Sequence, residues 1–184
     1  IDFIKNSIQA DTLPNIYLLH GEFSDQEINQ LYNHKKVKAM VSLTKGEGFG
    51  RPLLEFSLVK KPIIATNWSG HADFLDPKFT TLVSGELKNV HSSATVPDMI
   101  LPEGKWFTPN TMEVSQHLVN MFENYKGYEK GTMLQYHRSK NNFSFEGMKD
   151  VLEILLDKTP EFPKQVKLEL PKLKLPKVNK LENA

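Results

Sequence analysis

The chain reads as an α/β domain built on a parallel sheet, and three observations lead there. Short runs rich in β-branched and aliphatic residues, "NIYLLHG", "VKAMVSL" and "PIIAT", are spaced along the first half of the sequence. Between them lie stretches with helical start signals and helical apolar spacing. Loops that contain glycine follow the runs. Strand, loop and helix in repeated alternation require crossover connections, so the strands lie parallel and helices cover both faces. In such sheets ligands sit at the carboxyl ends of strands.

Each element has its own reason. Ile1, Ile4 and Ile8 in "IDFIKNSIQA" are spaced as on one face of a helix, which the polar "DTLPN" ends. "NIYLLHG", stopped by Gly21, predicts a buried strand. Ser24 with Glu27 three residues on forms a capping box, and Ile28, Leu31 and Tyr32 give the helix that follows its face. "VKAMVSL" is the next strand and leads into "TKGEGFGRPLLE". Pro52 suits a first helical turn, and Leu53, Leu54, Leu58 and Val59 supply a packing face. "PIIAT" is a third strand, and "NWSGHADFL" is a loop running into a short helix at the same end of the sheet, so these two loops are expected to be neighbours. From Phe79 to Pro109 the pattern is irregular, with "TTLV" as the last strand and "SGELKNVHSSATVPD" as a loop. "NTMEVSQHLVNMFENYKGY" and "SFEGMKDVLEILLDK" predict two amphipathic helices, the first with Val114, Leu118, Met121 and Phe122 on one side. After Pro160 the chain repeats Pro-Lys-Leu without helical periodicity and reads as an extended tail. The expected organisation is one domain over 1–160 and a Pro/Lys-rich tail over 161–184.

Composition excludes several classes. Lys plus Arg number 23 against 22 Asp plus Glu, so no global field points to nucleic acid or an anionic membrane. With no cysteine, a disulfide scaffold and a thiolate metal site are excluded, and a reducing, cytoplasmic setting is expected. No apolar run approaches the roughly 20 residues of a membrane helix. The chain starts at Ile1 and is read as a soluble piece of a longer protein.

The stretch "KGEGFGRPLLE", residues 45–55, carries the chemistry. A strand end, a glycine loop and a helix N-terminus expose backbone N–H groups that suit phosphate oxygens, and glycine lets the backbone approach a ligand. Carboxylates beside an anion site are out of place unless they serve elsewhere, and ionised carboxylates accept hydrogen bonds from paired hydroxyls. Glu47 and Glu55 flanking such a loop therefore suit a ligand with hydroxyls at both ends and phosphate between, a nucleotide sugar. The plainer alternative makes Glu47 a solvated loop acid and Glu55 a partner of the helix dipole. Gly46, Gly48 and Gly50 form G-x-G-x-G, not the G-x-G-x-x-G of a dinucleotide site, so a Rossmann oxidoreductase fits poorly. No G-K-[ST] makes a Walker loop, no Asp-x-Asp pair is present to hold a metal-bound diphosphate, and the six histidines are scattered.

Glu47, seven intervening residues and Glu55 resemble the E-x7-E motif of retaining glycosyltransferases of the GT-B fold, especially the family-four group. "VSLTKGEGFGRPLLEFSLVKKPIIATNWSGHADFL" and "GEFSDQEINQLYN" are similar to that family's donor half, and the likeness extends over residues 10–157. The resemblance implies a Rossmann-like parallel sheet flanked by helices, the C-terminal, donor-binding half of a hexosyltransferase-type enzyme. It implies that Glu47 faces the transferred sugar as the catalytic residue and that Glu55 binds the ribose. Gly48, Phe49, Gly50 and Arg51 would hold the diphosphate through main-chain donors, Thr44 and Lys45 would edge the sugar pocket, and the base would lie against Gly21, Glu22 and Phe23. No cofactor or metal is implied; the partners are a nucleoside diphosphate sugar and an acceptor carbohydrate or other hydroxyl compound.

This chain departs from the family at several points. Lys61 replaces the usual glycine before the third strand, a change expected to matter little, and Asp73 stands for a usual glutamate. The basic pair that clamps the diphosphate and the acceptor-binding N-terminal domain lie upstream of Ile1, so the isolated chain is expected to bind donor weakly and transfer nothing. A non-catalytic nucleotide- or sugar-binding module derived from such an enzyme is the rival expectation. An edge left without its upstream strand would be covered by the tail or by self-association into a homo-oligomer.

Overall fold

The computed structural model describes residues 6–8 and 12–158. The chain divides into two units, 1–148 and 149–184. Most of the helix expected at Ile1–Ile8 and all of the Pro/Lys-rich tail lie outside the described residues. In chain order the elements are α1 (Asp25–Asn33), β1 (Met40–Ser42), α2 (Arg51–Ser57), β2 (Ile63–Thr66), β3 (Thr81–Val83), β4 (Gly85–Asn89), β5 (Lys105–Pro109), α3 (Thr111–Glu123), α4 (Tyr125–Glu129), α5 (Thr132–Asn142) and α6 (Phe145–Lys158). Gly70–Asp73 and Ser92–Ala94 form single 3-10 turns.

β1, β2 and β3 pair in that order in a three-stranded sheet, and both pairings are parallel. β2 is central, and all four of its residues are buried. Its side chains alternate between two cores, as the pleat requires. Ile63 and Ala65 pack with Leu53 and Phe56 of α2 and with Phe74 and Leu75, while Ile64 packs with Val83, Val114 and Met121. Helices thus cover both faces of the sheet, as the alternation of elements predicts.

The helix ends follow their sequence signals. At α1 the Ser24 hydroxyl accepts from the Glu27 amide while the Glu27 carboxylate accepts from the Ser24 amide, which completes the capping box. Hydrogen bonding to Ser24 lowers the Glu27 pKa from its ordinary value. At the other end of α1, Lys61 Nζ donates to the carbonyls of Tyr32 and His34. Lys61, a replacement expected to matter little, thus satisfies carbonyls at the C-terminus of α1, and burial lowers its pKa. Asn110 caps α3 through the amides of Met112 and Glu113.

Four expectations are corrected. "NIYLL" is not a buried strand: residues 12–20 take no regular secondary structure, and Tyr17, Leu18 and Leu19 are exposed. A strand persists only through a ladder with a neighbour, and no described strand lies beyond β1. "SGELKNVHSSATVPD" is not simply a loop, because β4 forms an antiparallel ribbon with β5. Every residue of β4 is exposed, so it has no apolar alternation to reveal it. On α3 only Val114 and Met121 are buried; Leu118 is exposed, and Phe122 is 91% exposed. The fourth correction is the added helix α5, whose buried face is polar. Gln135 Nε2 donates to the Phe74 carbonyl at 2.8 Å, and its Oε1 accepts from the Asp76 amide. The Ser139 hydroxyl meets that of Ser57 at 2.7 Å. These bonds satisfy groups that burial would otherwise leave unpaired.

Phe56, 1% exposed, lies edge-on to Tyr32 with ring centroids 5.3 Å apart. Phe56→Ala is expected to cost about 3–5 kcal/mol in denaturant unfolding, through lost burial and the cavity left behind. Phe122→Ala should stay within about 0.5 kcal/mol of the parent, as an exposed substitution does. Equal midpoints for the two variants would contradict this placement of the core.

Candidate functional site

β1 ends at Ser42, and the loop from Leu43 to Gly50 carries the chain to α2. Gly50 caps that helix in the left-handed region at φ 85°, where a Cβ would also meet the His71 Cβ at 2.9 Å. Pro52 occupies the first turn, and the amides of Leu53 and Leu54 close on the Gly50 carbonyl.

The loop after β2 packs directly against the Glu47 loop, as expected from their shared end of the sheet. The Glu47 amide donates to the Ser69 hydroxyl at 3.0 Å, the Ser69 hydroxyl donates back to the Glu47 carbonyl, and that carbonyl also accepts from the Gly70 amide at 3.0 Å. A Cβ on Gly70 would lie 2.2 Å from the Gly48 carbonyl oxygen, so only glycine permits this approach. Ser69 sits at φ 77°, ψ −165°, a region that is essentially glycine's own. Such a residue carries strain on the order of 1–3 kcal/mol and persists where its surroundings over-determine it. Its three-bond tie to Glu47 is that determination.

Next along this loop, His71 is fully buried and donates from Nε2 to the Thr66 carbonyl at 2.6 Å. Its Nδ1 and the Thr44 hydroxyl are the two buried side-chain atoms without a hydrogen-bond partner among the described residues. The Thr66 hydroxyl reaches the Thr44 carbonyl at 3.3 Å, which joins the ends of β1 and β2.

The two glutamates differ in their commitments. Glu47 is half-buried, and no hydrogen bond or ion pair holds its carboxylate among the described residues. Glu55 Oε1 accepts from Arg51 Nε at 2.7 Å, one helical turn away. Asp25 Oδ1 lies 3.8 Å from the same guanidinium. The hydrogen bond to Glu55, then the charges of Glu55 and Asp25, hold Arg51 above its ordinary pKa. Burial, with the charge of Glu55, raises the phenol of Tyr32. Asp25, Asn29, Tyr32, Arg51 and Glu55 line a cleft of about 380 Å³ between α1 and α2.

The remaining expected positions fall in different places. Gly21, Glu22 and Phe23 are exposed and precede Asp25, so the contact of Asp25 with Arg51 brings that segment to the Glu55 side; among the described residues no hydrogen bond ties it to the Glu47 loop. Lys45 is turned toward the β4–β5 ribbon, with Nζ 3.5 Å from the centre of the Trp106 ring, and its carbonyl accepts from the Phe107 amide at 3.2 Å. The Phe49 ring anchors the loop against Phe74 and Phe143, at 5.3 and 6.4 Å. Gly46 and Gly48 are exposed, with open space where a Cβ would stand. Sequence reasoning placed the Ser69 loop correctly but assigned its residues no part. The signal available was the glycine between Ser69 and His71, at a strand end facing a second glycine loop.

Gly70→Ala is expected to lower stability by about 1–3 kcal/mol, because backbone must move to admit the methyl group. Gly48→Ala, with nothing within 4 Å of the added carbon, should cost well under that. A thermal melt that ranks the two the other way would refute the loop contact.

The two loops of this site fall inside a recognised family pattern. The model of the family described as Glycosyl transferases group 1 matches residues 2–95, just over half of the 184-residue chain. It covers both loops and both glutamates but stops before β5. No curated protein matches the chain.

Proposed function

This chain belongs to the group 1 glycosyl transferases, and from that premise we propose that it binds a nucleoside diphosphate sugar and serves a retaining, metal-independent transfer to a hydroxyl acceptor. The observation that carries the reading is the pair of carboxylates on either side of the glycine loop, Glu47 uncommitted and Glu55 at the cleft beside α1. On this reading Glu55 receives the ribose hydroxyls, while the amides of Gly48 to Arg51 receive the diphosphate. The uncommitted Glu47 faces the sugar. Negative charge grows on the leaving phosphate during transfer, and fixed amide dipoles stabilise it without reorganising. The triple tie of Glu47 to Ser69 and Gly70 supplies that rigidity. The acceptor is a carbohydrate or other hydroxyl compound, positioned by a further domain of the full-length enzyme.

A second reading, a binding module without transfer activity, is favoured by one observation. The cations nearest the loop are committed elsewhere, Arg51 to Glu55 and Asp25 and Lys45 to the Trp106 ring. Neither is held free for a diphosphate.

Glu55→Ala is expected to weaken binding of a nucleoside diphosphate by about 1.5–3 kcal/mol, the worth of a hydrogen bond to a charged group. Calorimetry on this chain measures it, and unchanged affinity would remove Glu55 from the ribose site. If Glu55 only complements the helix, the substitution lowers thermal stability instead.

Glu47→Gln separates the two functional readings. In a full-length protein it should depress turnover much more than nucleotide affinity, since the change lies at the sugar and not at the phosphates. Turnover equal to the parent would exclude a role at the sugar. A parent protein that binds donor and transfers nothing would establish the binding module.

A further inference from the structure

The β4–β5 ribbon brings an aromatic layer to the rim of the Glu47 loop. Trp68 and Phe107 stack with centroids 5.6 Å apart and planes 2° from parallel. Phe107 is 5% exposed and Trp68 is 40% exposed, so the layer has a buried side and an open side. Phe107 itself is fixed twice. Its amide donates to the Lys45 carbonyl, and its ring lies where a Cβ on Gly85 would come within 2.6 Å. The Trp68 ring therefore rests on a rigid support and not on a mobile loop.

The backbone around Trp68 is equally determined. It immediately precedes Ser69, the strained residue whose hydroxyl grips both the amide and the carbonyl of Glu47. A change of path at Ser69 would move the indole and the Glu47 peptide together. An indole left 40% exposed gives up burial that a core position would provide, and here it does so from a strained turn.

We infer that the open face of Trp68 is a stacking platform for a pyranose ring, placed to hold a sugar beside Glu47. The inference rests on the donor-site reading for that placement. The C–H groups of one face of a pyranose are apolar and carry partial positive charge, which matches the negative face of an indole. Its hydroxyl rim then meets a polar neighbour, the exposed Asn67 that precedes Trp68 in the chain. One supported ring in a polar frame suits one sugar, whereas a protein partner needs a wider apolar patch. The sugar is either that of the nucleotide donor or a unit of a saccharide acceptor, and the two present the same C–H face.

The chain has two tryptophans, so Trp106→Phe leaves Trp68 as the only indole reporter. In that background, fluorescence is titrated with UDP-glucose, UDP-galactose and GDP-mannose, each against its free nucleoside diphosphate. A second arm uses neutral trisaccharides of glucose, galactose and mannose. A sugar-dependent change in Trp68 emission is expected in at least one arm. Calorimetry on Trp68→Ala should show the responding saccharide or nucleotide sugar bound about five- to tenfold more weakly, with the free diphosphate unaffected and Trp68→Tyr largely retaining affinity. A response to nucleotide sugars alone identifies the donor sugar as occupant, and a response to trisaccharides identifies the acceptor. Emission that no sugar alters, or sugar affinity equal in Trp68→Ala and parent, overturns the platform. Free diphosphates that bind in the absence of any sugar response leave the donor site standing and remove the platform. A trisaccharide response without diphosphate binding does the reverse.

Discussion

The end of the sheet that carries the site is organised by one contact, the grip of Ser69 and Gly70 on the main chain of Glu47. Two loops leaving neighbouring parallel strands could diverge, since the pairing of β1 with β2 ends at Ser42 and Ala65. Instead both hydrogen-bonding groups of the Glu47 peptide are satisfied from the opposite loop. The approach needs a residue without Cβ at Gly70 and a serine in a conformation serine rarely adopts. Hydrogen bonds of modest individual worth offset strain of similar size, so the loops hold a defined shape at little net cost. The positions of the Glu47 carboxylate, the Gly48–Arg51 amides and the Trp68 ring follow from that shape.

The contact in turn depends on the core beneath it. β2 is buried on both faces, and its last residue, Thr66, holds His71 through its carbonyl and Thr44 through its hydroxyl. His71 Cβ then stands against Gly50, where α2 begins. Thus the end of β2, the strained turn and the helix start are linked through groups excluded from water, where an unpaired polar atom is costly and a paired one is restrictive. α5 adds to the same scaffold from outside by bonding the Phe74 carbonyl and the Asp76 amide through Gln135.

Much of this was legible in the sequence where burial is apolar and periodic. The capping box at Ser24, the proline-led start of α2 and the strand "PIIAT" announce themselves because their local chemistry agrees with their place in the fold. The adjacency of the two loops followed from topology, since both leave the carboxyl ends of parallel strands. The failures share a physical cause: the deciding partner is not local. α5 buries Gln135 and Ser139, so hydropathy hides its inner face. β4 is a strand only because β5 pairs with it, and "NIYLL" is not one because no described strand does. At the site, the spacing of Glu47 and Glu55 could be read directly. The conformation of Ser69 could not, because no propensity places a serine there, and the same holds for the Trp68–Phe107 stack that links distant segments.

The unequal state of the two carboxylates bears on how a diphosphate could be received without a dedicated cation at the loop. Arg51 bonds one oxygen of Glu55, and both side chains reach solvent, the arginine 74% and the glutamate 39% exposed. Exposed pairs of this kind are worth little, so their rearrangement is cheap. On the donor-site proposal a ribose hydroxyl would bond Oε2 while Arg51 keeps Oε1, and the paired arginine would reduce the repulsion that a lone Glu55 exerts on the phosphates. Glu47 has no such partner among the described residues. Its charge would repel a phosphate placed beside it, which favours an occupant with hydroxyls on that side of the loop. On the donor-site proposal, the ion pair on one side and the bare carboxylate on the other would give the loop a polarity, with phosphate toward Arg51 and the start of α2 and sugar toward Glu47.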